Sequence, residues 1–162
     1  LIEISHQEGG DFTMSLGKIV RNLRPLDNAT MASPPSLPKL ELPCKVVING
    51  AELGQALKAA KQVGDLANFS IDESSFRVHV QNNTDSVNIA FDKDEMDELV
   101  CDGAARSQYS LTYLEPLSRR FGPNDNVTIQ FGENFPLAMN FTFEDGAAEV
   151  DYFLAPRVES DY

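Results

Sequence analysis

The order strand, helix, strand, strand, strand is written twice in this chain, and that repetition limits the fold more than any single motif. In the first copy Cys44 to Ile48 reads as a short apolar strand, and Asn49-Gly50 turns it into a segment with Leu53, Ala56, Leu57, Ala60 and Val63 at helical spacing. Asn49 suits an N-cap and Gly64 a helix stop. Strands follow at about Leu66 to Ile71, Ser75 to Gln81 and Ser86 to Phe91. In the second copy Ser107 to Leu111 is the strand, and Thr112 and Glu115 have the spacing of a capping box for a helix running to about Phe121. Pro116 is tolerable if it falls in that first turn, where its missing N–H has no intrahelical partner. Strands at Asn126 to Phe131, Leu137 to Phe143 and Glu149 to Leu154 complete the copy. Two short helices, each with one apolar stripe, must lie on one face of the strands, which predicts a two-layer α+β fold with mainly antiparallel sheet. The acidic stretch from Asp92 to Glu98 reads as the loop joining the halves.

The residues before the repeat differ in character. Leu1, Ile2 and Ile4, then Phe12, Met14, Leu16 and Ile19, alternate as two strands about a Glu8-Gly9-Gly10-Asp11 turn. A lone hairpin has nothing to bury its apolar face against, so it belongs to a larger sheet. Residues 20 to 43 carry Pro25, Pro34, Pro35, Pro38 and Pro43 and read as an extended connector. Leu37, Leu40 and Leu42 within it are apolar, which places part of it along a protein surface. A length of 162 residues would suit one domain, but this organisation is better read as one complete domain plus the tail of another. The chain begins at Leu1, not at Met, and reads as the remainder of a longer protein.

Catalytic chemistry finds no support. His6 and His79 are both in expected strands, with no Cys or carboxylate at metal-ligand spacing. Cys44 and Cys101 form no CxxC pair and read as small buried residues of a protein from a reducing compartment. Phosphate-cradling and nucleophile-elbow motifs are absent, so no cofactor or metal is expected. A small hydrolase using a carboxylate pair is a remote alternative, since pairs arise freely among 25 acidic residues. No apolar run is long enough for a membrane helix.

The scarce cations carry more information. With 13 Lys and Arg against 25 Asp and Glu the net charge is −12, which argues against a broad basic surface. Lys58 and Lys61 nevertheless stand three apart on the first helix, opposite its Leu/Ala stripe, and Arg119 and Arg120 fall in the expected last turn of the second. Exposed helix faces are usually charged, which is the plainer explanation. The functional one is a small phosphate-facing surface giving weak, salt-sensitive, sequence-independent binding.

The double unit, the Pro-rich connector with Leu37-Pro38-Lys39-Leu40-Glu41-Leu42-Pro43, Tyr113-Leu114, Phe135-Pro136-Leu137 and the closing run Tyr152 to Glu159 resemble the archaeal DNA sliding clamps of the proliferating cell nuclear antigen (PCNA) family. The resemblance implies a DNA-clamp fold in which three subunits close a ring around duplex DNA, with helices lining the hole. It implies no chemistry, but the tethering of DNA polymerase, flap nuclease and ligase through their PIP-box peptides, with a clamp loader to open the ring. By position, residues 1–20 would be the last strands of a first domain, 21–43 the interdomain connector, 44–158 a complete second domain and 159–162 a tail. Lys58, Lys61, Arg119 and Arg120 would face DNA. Leu37, Pro136, Phe153, Leu154, Ala155 and Pro156 would form the partner groove, with ordinary core packing the alternative for Leu37 and Phe153. The subunit joint would pair Phe12, Met14 and Leu16 with Phe76, Val78 and Val80 of the next subunit, edge to edge. The location implied is intracellular: cytoplasmic in an archaeon, nuclear in a eukaryote. A peptide-binding module descended from a clamp, no longer encircling DNA, is the second reading.

Overall fold

The computed structural model describes residues 1–27, 29, 31–33, 40–143 and 146–157. The chain divides into two units, Leu1–Lys39 and Leu40–Tyr162.

The first unit is a three-stranded antiparallel sheet in the order β1 (Glu3–His6), β2 (Phe12–Leu16), β3 (Ile19–Leu23). The third strand corrects the sequence reading, which put Ile19 at the end of β2 and residues 21–23 in the connector. Leu16 and Ile19 are three residues apart, so they cannot share a face of one strand. Gly17 instead adopts a φ of 58° and, with Lys18, makes a two-residue turn that sets Leu16 opposite Ile19. The register gathers Ile4, Phe12, Met14, Leu16, Ile19 and Leu23 on one face, with His6 stacked on Phe12 at 4.2 Å.

The second unit contains two antiparallel sheets and two helices. Strand β4 (Cys44–Asn49) leads into α1 (Gly50–Val63) and then β5 (Leu66–Ile71), β6 (Ser75–Gln81) and β7 (Ser86–Asp92). The second copy runs β9 (Ala105–Ser110), α2 (Leu111–Ser118), β10 (Asn126–Phe131), β11 (Leu137–Phe143) and β12 (Ala148–Leu154). Between the copies the expected acidic loop holds a 3₁₀ turn at Lys93–Glu95 and a further strand, β8 (Glu98–Cys101). The sheet orders are β12-β11-β10-β4-β8 and β7-β6-β5-β9. Each repeat's first strand therefore completes the sheet of the other repeat.

Helix α1 forms as expected. Asn49 Oδ1 accepts hydrogen bonds from the backbone N–H of Ala51 (3.0 Å) and Glu52 (3.3 Å), while Leu53, Ala56, Leu57 and Ala60 are buried. Helix α2 differs from expectation. It begins at Leu111, whose N–H donates to the Asp65 carbonyl at 2.8 Å, so Thr112 lies inside the helix and is no cap. Pro116 is then the sixth helical residue, beyond the first turn, and the helix stops at Ser118. Arg119 becomes the C-cap and Arg120 lies past it.

Strand β8 also overturns the reading of the cysteines. It pairs with β4 so that Cys44 faces Cys101, Cα atoms 4.2 Å apart, and the two form a disulfide. The expectation of unpaired small residues failed because β8, four residues in an acidic surrounding, was not recognised. An ion pair from Lys45 Nζ to Glu98 Oε2 at 2.6 Å joins the same two strands.

The expected subunit joint is corrected as well. Strand β6 lies between β5 and β7 and pairs with both, and Phe76, Val78 and Val80 are buried in the core. Phe76 packs against Phe69, Phe91 and Phe131, and Tyr109 joins the cluster through Phe69 and Phe131, with ring centroids about 5–6 Å apart. Strand β2, carrying Phe12, Met14 and Leu16, is likewise the central strand of its sheet. A strand with neighbours on both sides has no free ladder to offer another chain.

Candidate nucleic-acid interface

Helices α1 and α2 pack side by side, and glycines on α1 set how closely. A Cβ at Gly54 would stand 3.2 Å from the Ser118 carbonyl oxygen, and one at Gly50 would stand 2.8 Å from the Phe121 Cβ. This close approach brings the cations of both helices onto one face. Lys61 reaches across from α1 to α2, its Nζ donating to Thr112 Oγ1 at 3.1 Å and pairing with Asp65. Arg119 grips Glu115 through Nε and Nη2, both at 2.9 Å. The hydrogen bonds from Arg119 hold the Glu115 carboxyl below the usual glutamate range against the opposing effect of desolvation. The positive charges of Lys61 and Lys58 add to that lowering. Glu115 thus pairs with Arg119 and also feels the charges of Lys61 and Lys58 on the neighbouring helix. Arg120 is exposed beyond the helix end, and neither it nor Lys58 makes a salt bridge among the described residues.

The sequence reading found these cations but missed their partners. Glu115 and Arg119, like Lys61 and Asp65, are four apart, a spacing that signals a pair on a helical turn.

A second surface lies where the two sheets meet. Register places Leu154 opposite Leu137 and Phe153 opposite Ala138. Phe153 is 37% exposed, so it is not a core residue, and Phe135 beside Pro136 is 47% exposed. The tail Ala155-Pro156-Arg157 is fixed by the Arg157 N–H, which donates to the Gln108 carbonyl on β9 at 2.7 Å. Tyr109, unnoticed in the sequence, donates its hydroxyl to the Phe135 carbonyl at 2.7 Å. Burial pushes its phenol up to about 12, so it stays a donor. Gly132 admits Pro43 and Phe135, either of which would stand 2.9 Å from a Cβ there. Leu37 lies outside the described residues.

No family model matches the chain. It is 34% identical to the DNA polymerase sliding clamp of Methanosarcina barkeri over 155 residues, which is 96% of this chain and 63% of that relative. It is 35% identical to that of Natronomonas pharaonis over 150 residues, 91% of this chain and 60% of the relative. A solved structure of Archaeoglobus fulgidus PCNA with the C-terminal region of FEN-1 bound superposes with a TM-score of 0.84 at 31% identity, covering 99% of this chain and 65% of that one. The chain therefore spans a little under two thirds of the length of the relatives it matches. Among the described residues no helix is long and apolar enough to cross a membrane. Over nearly its whole length and in its fold, the chain is similar to the archaeal DNA polymerase sliding clamps.

Proposed function

We propose that this chain is part of a sliding clamp that encircles duplex DNA and tethers replication proteins to it, and that it carries out no chemistry of its own. The observation that supports this reading best is the gathering of Lys58, Lys61 and Arg119 onto the shared face of α1 and α2 in a protein of net charge −12. A few cations on a helical layer attract a phosphate backbone without gripping it, which suits a ring that must slide.

The apolar strip of Pro136, Phe153, Leu154, Ala155 and Pro156 is the groove for PIP-box peptides of DNA polymerase, flap nuclease and ligase. Exposed aromatic rings beside a tail held by hydrogen bonds offer a firm seat for an aromatic plug. Residues 1–23 belong to a first clamp domain, the connector runs to Pro43 and the second domain begins at Cys44. Subunits join edge to edge, but through β3 and β7. These are the edge strands beside the central strands β2 and β6 to which the resemblance pointed. The clamp works inside the cell, where a clamp loader opens it.

Light scattering should give the mass of a trimer, and the protein should remain on circular duplex DNA but slide off the same DNA once it is linearised. The second reading is a peptide-binding module that does not encircle DNA, resting on the exposed apolar strip around Phe153 alone. Under that reading PIP-box peptides bind while circular and linear DNA are retained alike.

A further inference from the structure

Two cations of the helical face, Arg119 and Lys61, are already occupied by carboxylates of the same layer. Arg119 is held by both oxygens of Glu115, a planar two-bond fork like the one a guanidinium makes with phosphate. Glu115 is 7% exposed while the Arg119 side chain is 70% exposed, so the carboxylate is fixed from below and the guanidinium faces solvent. Lys61 is held by Asp65 and Thr112. Of the three cations whose charges act on Glu115, only Lys58 makes no salt bridge among the described residues. A phosphate arriving at this face must compete with anions that are tethered in place and, in the case of Glu115, unable to swing away.

We propose that Glu115 and Asp65 are affinity-setting residues, internal competitors that hold Arg119 and Lys61 partly neutralised and so cap the strength with which this face holds duplex DNA. The inference rests on the DNA-facing reading of α1 and α2 given above. Its physical sense lies in the balance sliding requires: each phosphate contact made steepens the salt dependence of binding by about 0.9 in log–log slope, and contacts that are too firm would arrest the ring. An exposed carboxylate that is already paired weakens such a contact by an amount comparable to a surface ion pair, a factor of about two to five.

The test uses the full chain and a short linear duplex, followed by fluorescence anisotropy from low to physiological salt. Asp65→Asn, an exposed change, should tighten binding about twofold, and Glu115→Gln about three- to fivefold, each with a steeper salt slope. Lys58→Ala and Arg119→Ala should weaken binding. If the two carboxylate variants bind as the parent does while the cation variants weaken, competition is refuted and the DNA-facing reading stands. If Lys58→Ala and Arg119→Ala leave binding unchanged, the DNA-facing reading falls and the inference falls with it. Should Glu115→Gln fail to fold, Asp65→Asn decides alone, since its side chain is 75% exposed.

Discussion

Gly50 of α1 lies so close to Phe121 that a side chain at the glycine would put its Cβ 2.8 Å from the Phe121 Cβ and 3.1 Å from the Asp125 carbonyl oxygen. The Gly50 N–H donates to that same carbonyl at 2.7 Å, so the start of α1 is pinned to the segment following α2. Gly50→Ala should therefore destabilise the protein by about 1–3 kcal/mol through overpacking, despite alanine's better helix propensity. Urea unfolding would show it as a lower midpoint with an unchanged slope.

Phe76→Ala separates a core role from a subunit role. Because Phe76 is fully buried and packs against Phe69, Phe91 and Phe131, its loss should cost about 3–5 kcal/mol of folding stability. Dissociation of a still-folded chain, seen by light scattering and circular dichroism together, is the outcome that would restore β6 as a joint.

Tyr109→Phe removes one hydroxyl and leaves the Phe135 carbonyl without that donor. We expect a loss of about 0.5–1.5 kcal/mol in stability. If the proposed groove takes PIP-box peptides, calorimetry should also show weaker binding, because Tyr109 holds Phe135 next to Pro136.

Asp72 accepts from the Ser74 hydroxyl at 2.6 Å, from the Ser74 N–H at 2.8 Å and from the Ser75 N–H at 2.9 Å, and faces Arg77 at 3.2 Å. The Ser74 bonds come first in bringing its carboxyl from 3.8 down to about 2. A depressed carboxylate stabilises the fold above its unfolded value, and that contribution disappears as pH falls from about 4 through about 2. Asp72→Asn should be less stable than the parent at neutral pH, and thermal melts of the two should converge toward pH 2.

How far the sequence reached can be judged from particular elements. Helix α1 was legible from both ends, since Asn49 and Gly64 are local signals acting where they stand. Strands β10 and β11 were also bounded correctly, because polar turns flank an unbroken alternation. Strand β3 escaped because Gly17-Lys18 makes a turn with only one glycine to mark it. Strand β8 escaped because its pairing with β4 is tertiary, sealed by two cysteines 57 residues apart. The start of α2 was misplaced for a similar reason: the carbonyl that receives the Leu111 N–H comes from Asp65, far away in sequence. At the candidate site the four cations could be found by their scarcity, whereas Glu115 read as half of a capping box, and its burial under Arg119 shows its role as an ion-pair partner instead.

The exchange of first strands between the repeats bears on how such a domain could arise. Strand β4 sits against β10 of the later repeat, and β9 sits against β5 of the earlier one. One repeat alone would leave a helix-backed sheet short of a strand, and a second identical copy could supply it by mutual donation. The geometry fits an ancestor that folded as a symmetric pair and was later fused into one polypeptide. It also means that cutting the domain between β8 and β9 should yield halves that are poor folders apart and competent together.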